Sequence, residues 1–237
     1  MRRRHEVKGN GDLSERLVVL TKPEDAAAEA YRTLRTNLLY AFADNPPKII
    51  VVSSPGPAEG KSTTCANVAV ALAQAGKEVL IIDGDLRAPM LHKFFGLRNV
   101  HGLVSILTQQ RNLEEAWHEL TSGLKVLTAG PVPYNPTELL SSQRFAEFTA
   151  RVREDFDYVL FDAPPVGLSS DAAIAAARSD GVLLVIDTRR TRKSSVRRSM
   201  RSLEAIGVRV LGTVMNNVEI SDDRPYGGDY GYKSEST

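Results

Sequence analysis

Residues 49–64 read Ile49-Ile50-Val51-Val52-Ser53-Ser54-Pro55-Gly56-Pro57-Ala58-Glu59-Gly60-Lys61-Ser62-Thr63-Thr64. A β-branched run breaks into a Gly/Pro loop, and the loop ends in Gly-Lys-Ser at the head of a helix-prone stretch. Strand, loop and helix in that order are what a phosphate-binding loop requires. Loop and helix N-terminal amides point at the ligand, and the helix dipole favours its negative charge. Gly56, Pro57, Ala58, Glu59, Gly60, Lys61, Ser62 and Thr63 are therefore the expected nucleotide-binding residues. Lys61 brings a mobile positive charge to the β- and γ-phosphates, and Ser62 a hydroxyl ligand for Mg²⁺. Gly56 lies four residues before Gly60, one fewer than the usual offset.

Outward from this loop, apolar runs predict strands at 48–53, 79–83, 124–128, 157–162, 181–187 and 208–215. Runs such as Val79-Leu80-Ile81-Ile82 and Val182-Leu183-Leu184-Val185-Ile186 are continuous, as in a parallel sheet covered on both faces. Helical stretches fall between them, at 62–75, 137–153, 171–178 and 193–206, and an earlier helix starts at Pro23. The alternation implies an α/β fold, a mostly parallel sheet flanked by helices with right-handed crossovers. Residues 1–22 read as a loose, flexible arm, 23–220 as one domain, and 221–237 as a disordered tail rich in Gly, Asp and Ser.

The composition is that of an ordinary globular chain, with 42% hydrophobic and 25% charged residues and a net charge of +1. One cysteine, Cys65, excludes an internal disulfide framework and fits a reducing cytoplasm. No apolar run approaches the ~18 residues of a membrane span. Contact with a membrane is therefore expected through a surface or a partner. Arg189, Arg190, Arg192, Lys193, Arg197, Arg198 and Arg201 form a basic stretch, read first as a solvated helix face, with acidic lipid, a partner or phosphotyrosine as the alternative it could engage.

Ligands of an open parallel sheet sit beyond the carboxyl ends of its strands, so acids at those ends matter most. Val79–Ile82 runs into Asp83-Gly84-Asp85-Leu86-Arg87, and Tyr158–Phe161 runs into Asp162-Ala163-Pro164-Pro165. These carboxylates can hold Mg²⁺ or accept a proton from a nucleophile. Arg87 either holds a phosphate or pairs with a surface acid. Asp171 is expected to cap the next helix.

With these pieces placed, the chain resembles a bacterial tyrosine kinase of the capsular and exopolysaccharide export type, over residues 24–232. Gly56–Ser62 is similar to that family's Walker A loop, and Ile81-Ile82-Asp83-Gly84-Asp85-Leu86-Arg87 to its Walker A′ pattern. Val159-Leu160-Phe161-Asp162 looks like its Walker B strand. Glu29, Arg32 and Arg35 match the Glu-x-x-Arg-x-x-Arg helix that joins subunits into a ring. Asn135-Pro136-Thr137-Glu138-Leu139-Leu140 resembles another family segment, and Tyr226, Tyr230 and Tyr232 resemble its tyrosine tail.

The resemblance implies a P-loop NTPase fold and an ATP- and Mg²⁺-dependent autokinase that phosphorylates the tail tyrosines of neighbouring subunits. It implies Lys61, Asp83 and Asp85 in catalysis; Ser62, Asp83 and Asp162 at the metal; and Asn216, or its neighbour Asn217, against adenine. Which of Asp83 and Asp85 is the base stays open. The implied partners are further copies of the chain in a ring-type homo-oligomer and a membrane-anchored activator with a cytoplasmic segment. The activator would recruit a cytoplasmic kinase to the inner face of the membrane. No nucleic acid is expected. The rival is a partition or positioning ATPase of the ParA/MinD-like class. That class carries an extra lysine early in its loop, where Ser54-Pro55-Gly56-Pro57 has none, and it lacks a tyrosine tail. A third reading, a nucleotide-dependent scaffold without transfer, is opposed by intact Lys61, Asp83, Asp85 and Asp162.

Overall fold

The computed structural model describes residues 12–42, 44–121 and 123–219. Its elements run α1 (Val18–Thr21), α2 (Ala26–Tyr40), β1 (Ile49–Ser53), α3 (Lys61–Gln74), β2 (Val79–Asp83), α4 (Leu91–Phe94), α5 (Leu103–Leu107), α6 (Leu113–Ala116), β3 (His118–Thr121) and β4 (Leu124–Leu127). They continue with α7 (Pro136–Ser141), α8 (Gln143–Asp155), β5 (Tyr158–Asp162), α9 (Ser170–Ala176), β6 (Gly181–Asp187), α10 (Lys193–Glu204) and β7 (Val210–Asn216). The seven strands form one sheet in the order β3-β4-β2-β5-β1-β6-β7. Every pairing is parallel except that of β3 with β4.

Because side chains alternate along a strand, β1 feeds two cores at once. Ile49 and Val51 join Leu80, Ile82, Phe161 and the α5–α9 side, while Ile50 and Val52 pack with α3 and the α1–α2 layer. Both faces are covered, which is why the central strands are apolar without interruption. The geometry places β1, β2 and β5 side by side, so their carboxyl ends open at one point. In register, Asp83 pairs with Asp162 across β2 and β5.

All six expected strands are present. The edge strand β3 was not anticipated, because its half-buried His-Glu-Leu-Thr alternation carries little apolar signal. The helix expected over 137–153 is divided at Ser142, whose backbone is extended and whose hydroxyl accepts the Phe145 N–H. The helix expected from Pro23 starts at Ala26, capped by Asp25. A larger correction concerns the arm. Residues 12–22 are not loose, because Leu17 and Val19 are buried beside α3 and the Ser14 N–H donates to the Phe94 carbonyl. The apolar Leu17–Leu20 run drives this docking. The tail tyrosines Tyr226, Tyr230 and Tyr232 lie outside the described residues.

Candidate active site

The loop after β1 turns around residues that need unusual backbone. Gly60 has a φ of +92°, and a Cβ there would overlap the Asn216 side-chain amide, so only glycine fits. Helix α3 then starts at Lys61, aiming its unpaired N-terminal amides into the loop. The loop is moored from two strand ends. Glu59 accepts hydrogen bonds from the Thr191 hydroxyl (2.6 Å) and the Asp187 N–H (3.2 Å), just beyond and at the end of β6. From the end of β7, Asn216 Nδ2 donates to the Glu59 carbonyl at 3.0 Å. Asn217 instead donates to Asp187 Oδ2 at 2.9 Å.

The acids and the lysine meet beneath this loop. Lys61 Nζ lies 3.0 Å from Asp85 Oδ2, 3.2 Å from Asp162 Oδ1 and 3.2 Å from Ser62 Oγ. Burial alone would depress the Lys61 pKa, but the carboxylates of Asp162 and Asp85 outweigh it and hold the pKa above normal. Lys61 is therefore a fixed positive charge. Asp83 sits deeper, fully buried, with its Oδ2 accepting the Met90 and Leu91 N–H groups at 2.9 Å each. Burial, with the Asp162 charge beside it, pushes Asp83 up to about 8. Burial likewise raises Asp162, against the pull of Lys61. Gly84 lies between the two acids of the β2 exit, where a Cβ would run into the Phe161 ring.

Two buried oxygens in this cluster, Asp83 Oδ1 and Asp162 Oδ2, have no hydrogen-bond partner among the described residues. Buried carboxylate oxygens left over in this way are costly unless something else satisfies them. Together with the Ser62 hydroxyl they fit a hard divalent cation that keeps most of its shell for water and phosphate. No cluster of three or more His, Cys, Asp or Glu suited to a metal occurs among the described residues, so the protein alone does not supply a full coordination cage.

A cavity of about 450 Å³ opens in front of the cluster. Residues 57–63 form one wall, Asp85 to Phe94 a second, and Pro164 to Ser169 a third. Asp85 lines this cavity, and Asp83 does not. The remaining expected residues divide plainly. Arg87 Nε reaches Asp171 Oδ2 at 2.7 Å and its Nη2 reaches the Thr137 hydroxyl at 3.2 Å, while Thr137 donates to Asp171 Oδ1 at 2.6 Å. Of the two roles open for Arg87, the structure gives the ion pair. Asp171 is not the helix cap, which is Ser169. Burial works to raise Asp171, but the hydrogen bonds from Arg87, Thr137 and Ser169 prevail and hold its pKa low.

Glu29, Arg32 and Arg35 lie on α2, outside the cavity lining, with Arg32 and Glu29 paired at 2.9 Å. Arg197, Arg198 and Arg201 are exposed on α10. Sequence reasoning missed Thr191, Thr137 and Arg16, which the fold brings to the loop, to Asp171 and to the cavity wall. Thr137 was quoted only within a matching segment, and for Thr191 and Arg16 no local pattern exists to find them.

A family model described as an AAA domain matches residues 47–210. The chain is 40% identical over 228 residues to the tyrosine-protein kinase YwqD of Bacillus subtilis, covering 95% of this chain and 96% of that protein. The kinase domain of the Escherichia coli tyrosine kinase ETK superposes with a TM-score of 0.80 at 31% identity, covering 89% of this chain and 84% of that one. The septum site-determining protein MinD from Pyrococcus horikoshii, complexed with Mg-ADP, is more distant. Its TM-score is 0.61 at 26% identity, over 71% of this chain and 69% of that one. The partition-ATPase reading therefore shares the fold but not the degree of likeness. With YwqD matched end to end and the ETK kinase fold shared, the chain belongs to the bacterial tyrosine-protein kinases.

Proposed function

We propose that this kinase uses ATP and Mg²⁺ to phosphorylate Tyr226, Tyr230 and Tyr232 in the tails of neighbouring subunits, within a ring-type homo-oligomer. The observation that carries the active-site reading is the division among its acids. Asp85 faces the cavity beside Lys61, whereas Asp83 and Asp162 stand behind with one unpartnered oxygen each. Asp85 is accordingly the acceptor for the tyrosine proton, and Ser62, Asp83 and Asp162 would hold Mg²⁺, which would supply positive charge against the phosphates.

The residues act as follows. Residues 57–63 and the start of α3 bind the phosphates, and Glu59, anchored by Thr191 and Asn216, keeps that cradle in shape. Lys61 is held ready by Asp85 and Asp162, with its charge available to the β- and γ-phosphates. Asp85 accepts the phenolic proton as the tyrosine oxygen bonds to the γ-phosphorus and the bond to the ADP oxygen breaks. A phenol with a pKa near ~10 gains from such an acceptor, though most of the acceleration comes from positioning and charge neutralisation.

Assembly is supported by α2, which buries only Ala28 and Leu38 of its fifteen residues and leaves the buried Arg35 Nε without a partner among the described residues. That nitrogen is already shielded from solvent, so it is the remaining surface of the helix, with the exposed Glu29, that is left for a second copy. We assign the kinase to the regulation of exopolysaccharide synthesis or export, activated by the cytoplasmic segment of a membrane-anchored partner and recruited by it to the inner face of the membrane. No helix among the described residues is long and apolar enough to cross a membrane.

The test is to incubate the full chain with labelled ATP and Mg²⁺ and map the phosphorylated residues, beside a Lys61→Met control. Label on Tyr226, Tyr230 and Tyr232, absent from the control, is expected. Label confined to Tyr31 or the exposed Tyr134 would refute the tail as acceptor.

A further inference from the structure

The docked segment 12–22 contributes a side chain to the cavity. Arg16 lines it, with its guanidinium 5.9 Å from the centre of the Phe94 ring. The segment is held by one fully buried residue of α3, Asn67. Asn67 Nδ2 donates to the Arg16 carbonyl at 2.8 Å and to the Thr63 carbonyl at 2.9 Å, and its Oδ1 accepts the Val19 N–H at 3.1 Å. The Ser14 N–H to Phe94 carbonyl bond, 2.9 Å, ties the same segment to α4. The Arg16 backbone is thus held on both sides, while its side chain stays exposed at the cavity wall.

Its charge is not spent inside the protein. The other cations of the cavity wall, Lys61 and Arg87, are paired with Asp85, Asp162 and Asp171. Among the described residues Arg16 makes no salt bridge. Its backbone is held at Asn67, about 9 Å along α3 from the helix start where the phosphates belong. The cavity's apolar lining includes Phe94, whose ring the guanidinium approaches, with Met90, Pro165 and Leu168. A cavity that joins apolar side chains, Asp85 and an arginine suits a tyrosine ring with an acidic neighbour in its chain.

The tail offers that chemistry: Asp229 precedes Tyr230 directly, and Asp222-Asp223 lie shortly before Tyr226. We propose that Arg16 is a specificity residue of the acceptor subsite, pairing with an aspartate next to the tyrosine to be phosphorylated. The inference rests on the reading of the tail as acceptor and adds what selects it.

A fluorescent peptide of residues 221–233, titrated by anisotropy against the full chain with ADP and Mg²⁺, tests this without turnover. Arg16→Glu is expected to weaken binding about five- to tenfold, and Arg16→Lys less than about threefold, as befits a partly exposed ion pair. A peptide with its three aspartates changed to asparagine should bind wild type weakly and be indifferent to Arg16→Glu. Affinity for ADP should be unchanged in both variants, which also reports an intact fold. If wild type binds the acidic peptide but Arg16→Glu binds it equally well, the assignment of Arg16 falls while the tail reading stands. A parallel loss of ADP affinity would overturn it in favour of a nucleotide contact. If wild type binds neither peptide, the tail reading and this inference fall together.

Discussion

Replacing Asp83 with asparagine should stabilise the metal-free protein while disabling it, and the stabilisation should depend on pH. Asp83 is buried beside Asp162, and its pKa is pushed up to about 8 from 3.8. Since the folded-state value lies above the unfolded one, the protonated native state is favoured. Asp83 therefore carries no ionisation cost below about pH 4, and stability is lost as pH rises from there towards 8. The full shift corresponds to on the order of 5 kcal/mol, shared with the neighbouring carboxylate. Asparagine keeps an oxygen for the Met90 and Leu91 N–H groups and places an uncharged amide where Asp83 Oδ1 has no partner. At pH 8.5 in EDTA we expect Asp83→Asn to gain about 2–3 kcal/mol, or roughly 4–10 °C in Tm. At pH 5 the gain should shrink to within ~1 kcal/mol, because Asp83 is then neutral as well. Adding Mg²⁺ and ADP should raise the Tm of wild type more than that of the variant. Thermal melts followed by circular dichroism across pH 5 to 9 decide the matter. A variant that is less stable at pH 8.5, or a difference that does not vary with pH, would refute the reasoning.

Three further outcomes follow from the same geometry. Thr191→Val removes the 2.6 Å bond to Glu59, so ATP affinity measured by calorimetry should fall roughly three- to tenfold with little loss of stability. Arg87→Ala leaves the buried Asp171 carboxylate short of its cation, lowering Tm at pH 7. Because Asp171 has a depressed pKa, that contribution is present above its unfolded value and lost in acid, so the deficit should shrink as pH falls through the lowered folded value, below the usual carboxylate range. Changing Glu29, Arg32 and Arg35 together to alanine should leave a monomer in light scattering where wild type assembles, and an unchanged mass distribution would return that face to solvent.

How much of this was legible depended on whether the information is local. The loop from Gly56 to Ser62, the six apolar strands and the acids at their ends all announce themselves within a few residues, because strand burial and turn chemistry are short-range. β3 escaped because a short antiparallel edge strand needs only half its residues apolar. The docking of residues 12–22 escaped because the short Leu17–Leu20 run does not say which face it will cover, and Asn67, which ties the segment down, reads as an ordinary helix residue until the fold brings Arg16 and Val19 beside it. Glu59 was legible as a loop residue, but its anchors Thr191 and Asp187 lie 132 and 128 residues away. The order of Asp83 and Asp85 was likewise undecidable in one dimension. It is the depth of each along β2 and its exit that separates them.

The central claim is that the site of one subunit phosphorylates the tail of another, and mixing two disabled chains tests it most directly. One partner is Lys61→Met with its tail intact, and the other has Tyr226, Tyr230 and Tyr232 changed to phenylalanine with its site intact. With labelled ATP and Mg²⁺, neither should label its own tail alone. Mixed, the account predicts label on the tail tyrosines of the Lys61→Met chain, in proportion to the active partner added. A mixture that leaves that tail unlabelled while wild type labels its own would contradict the account.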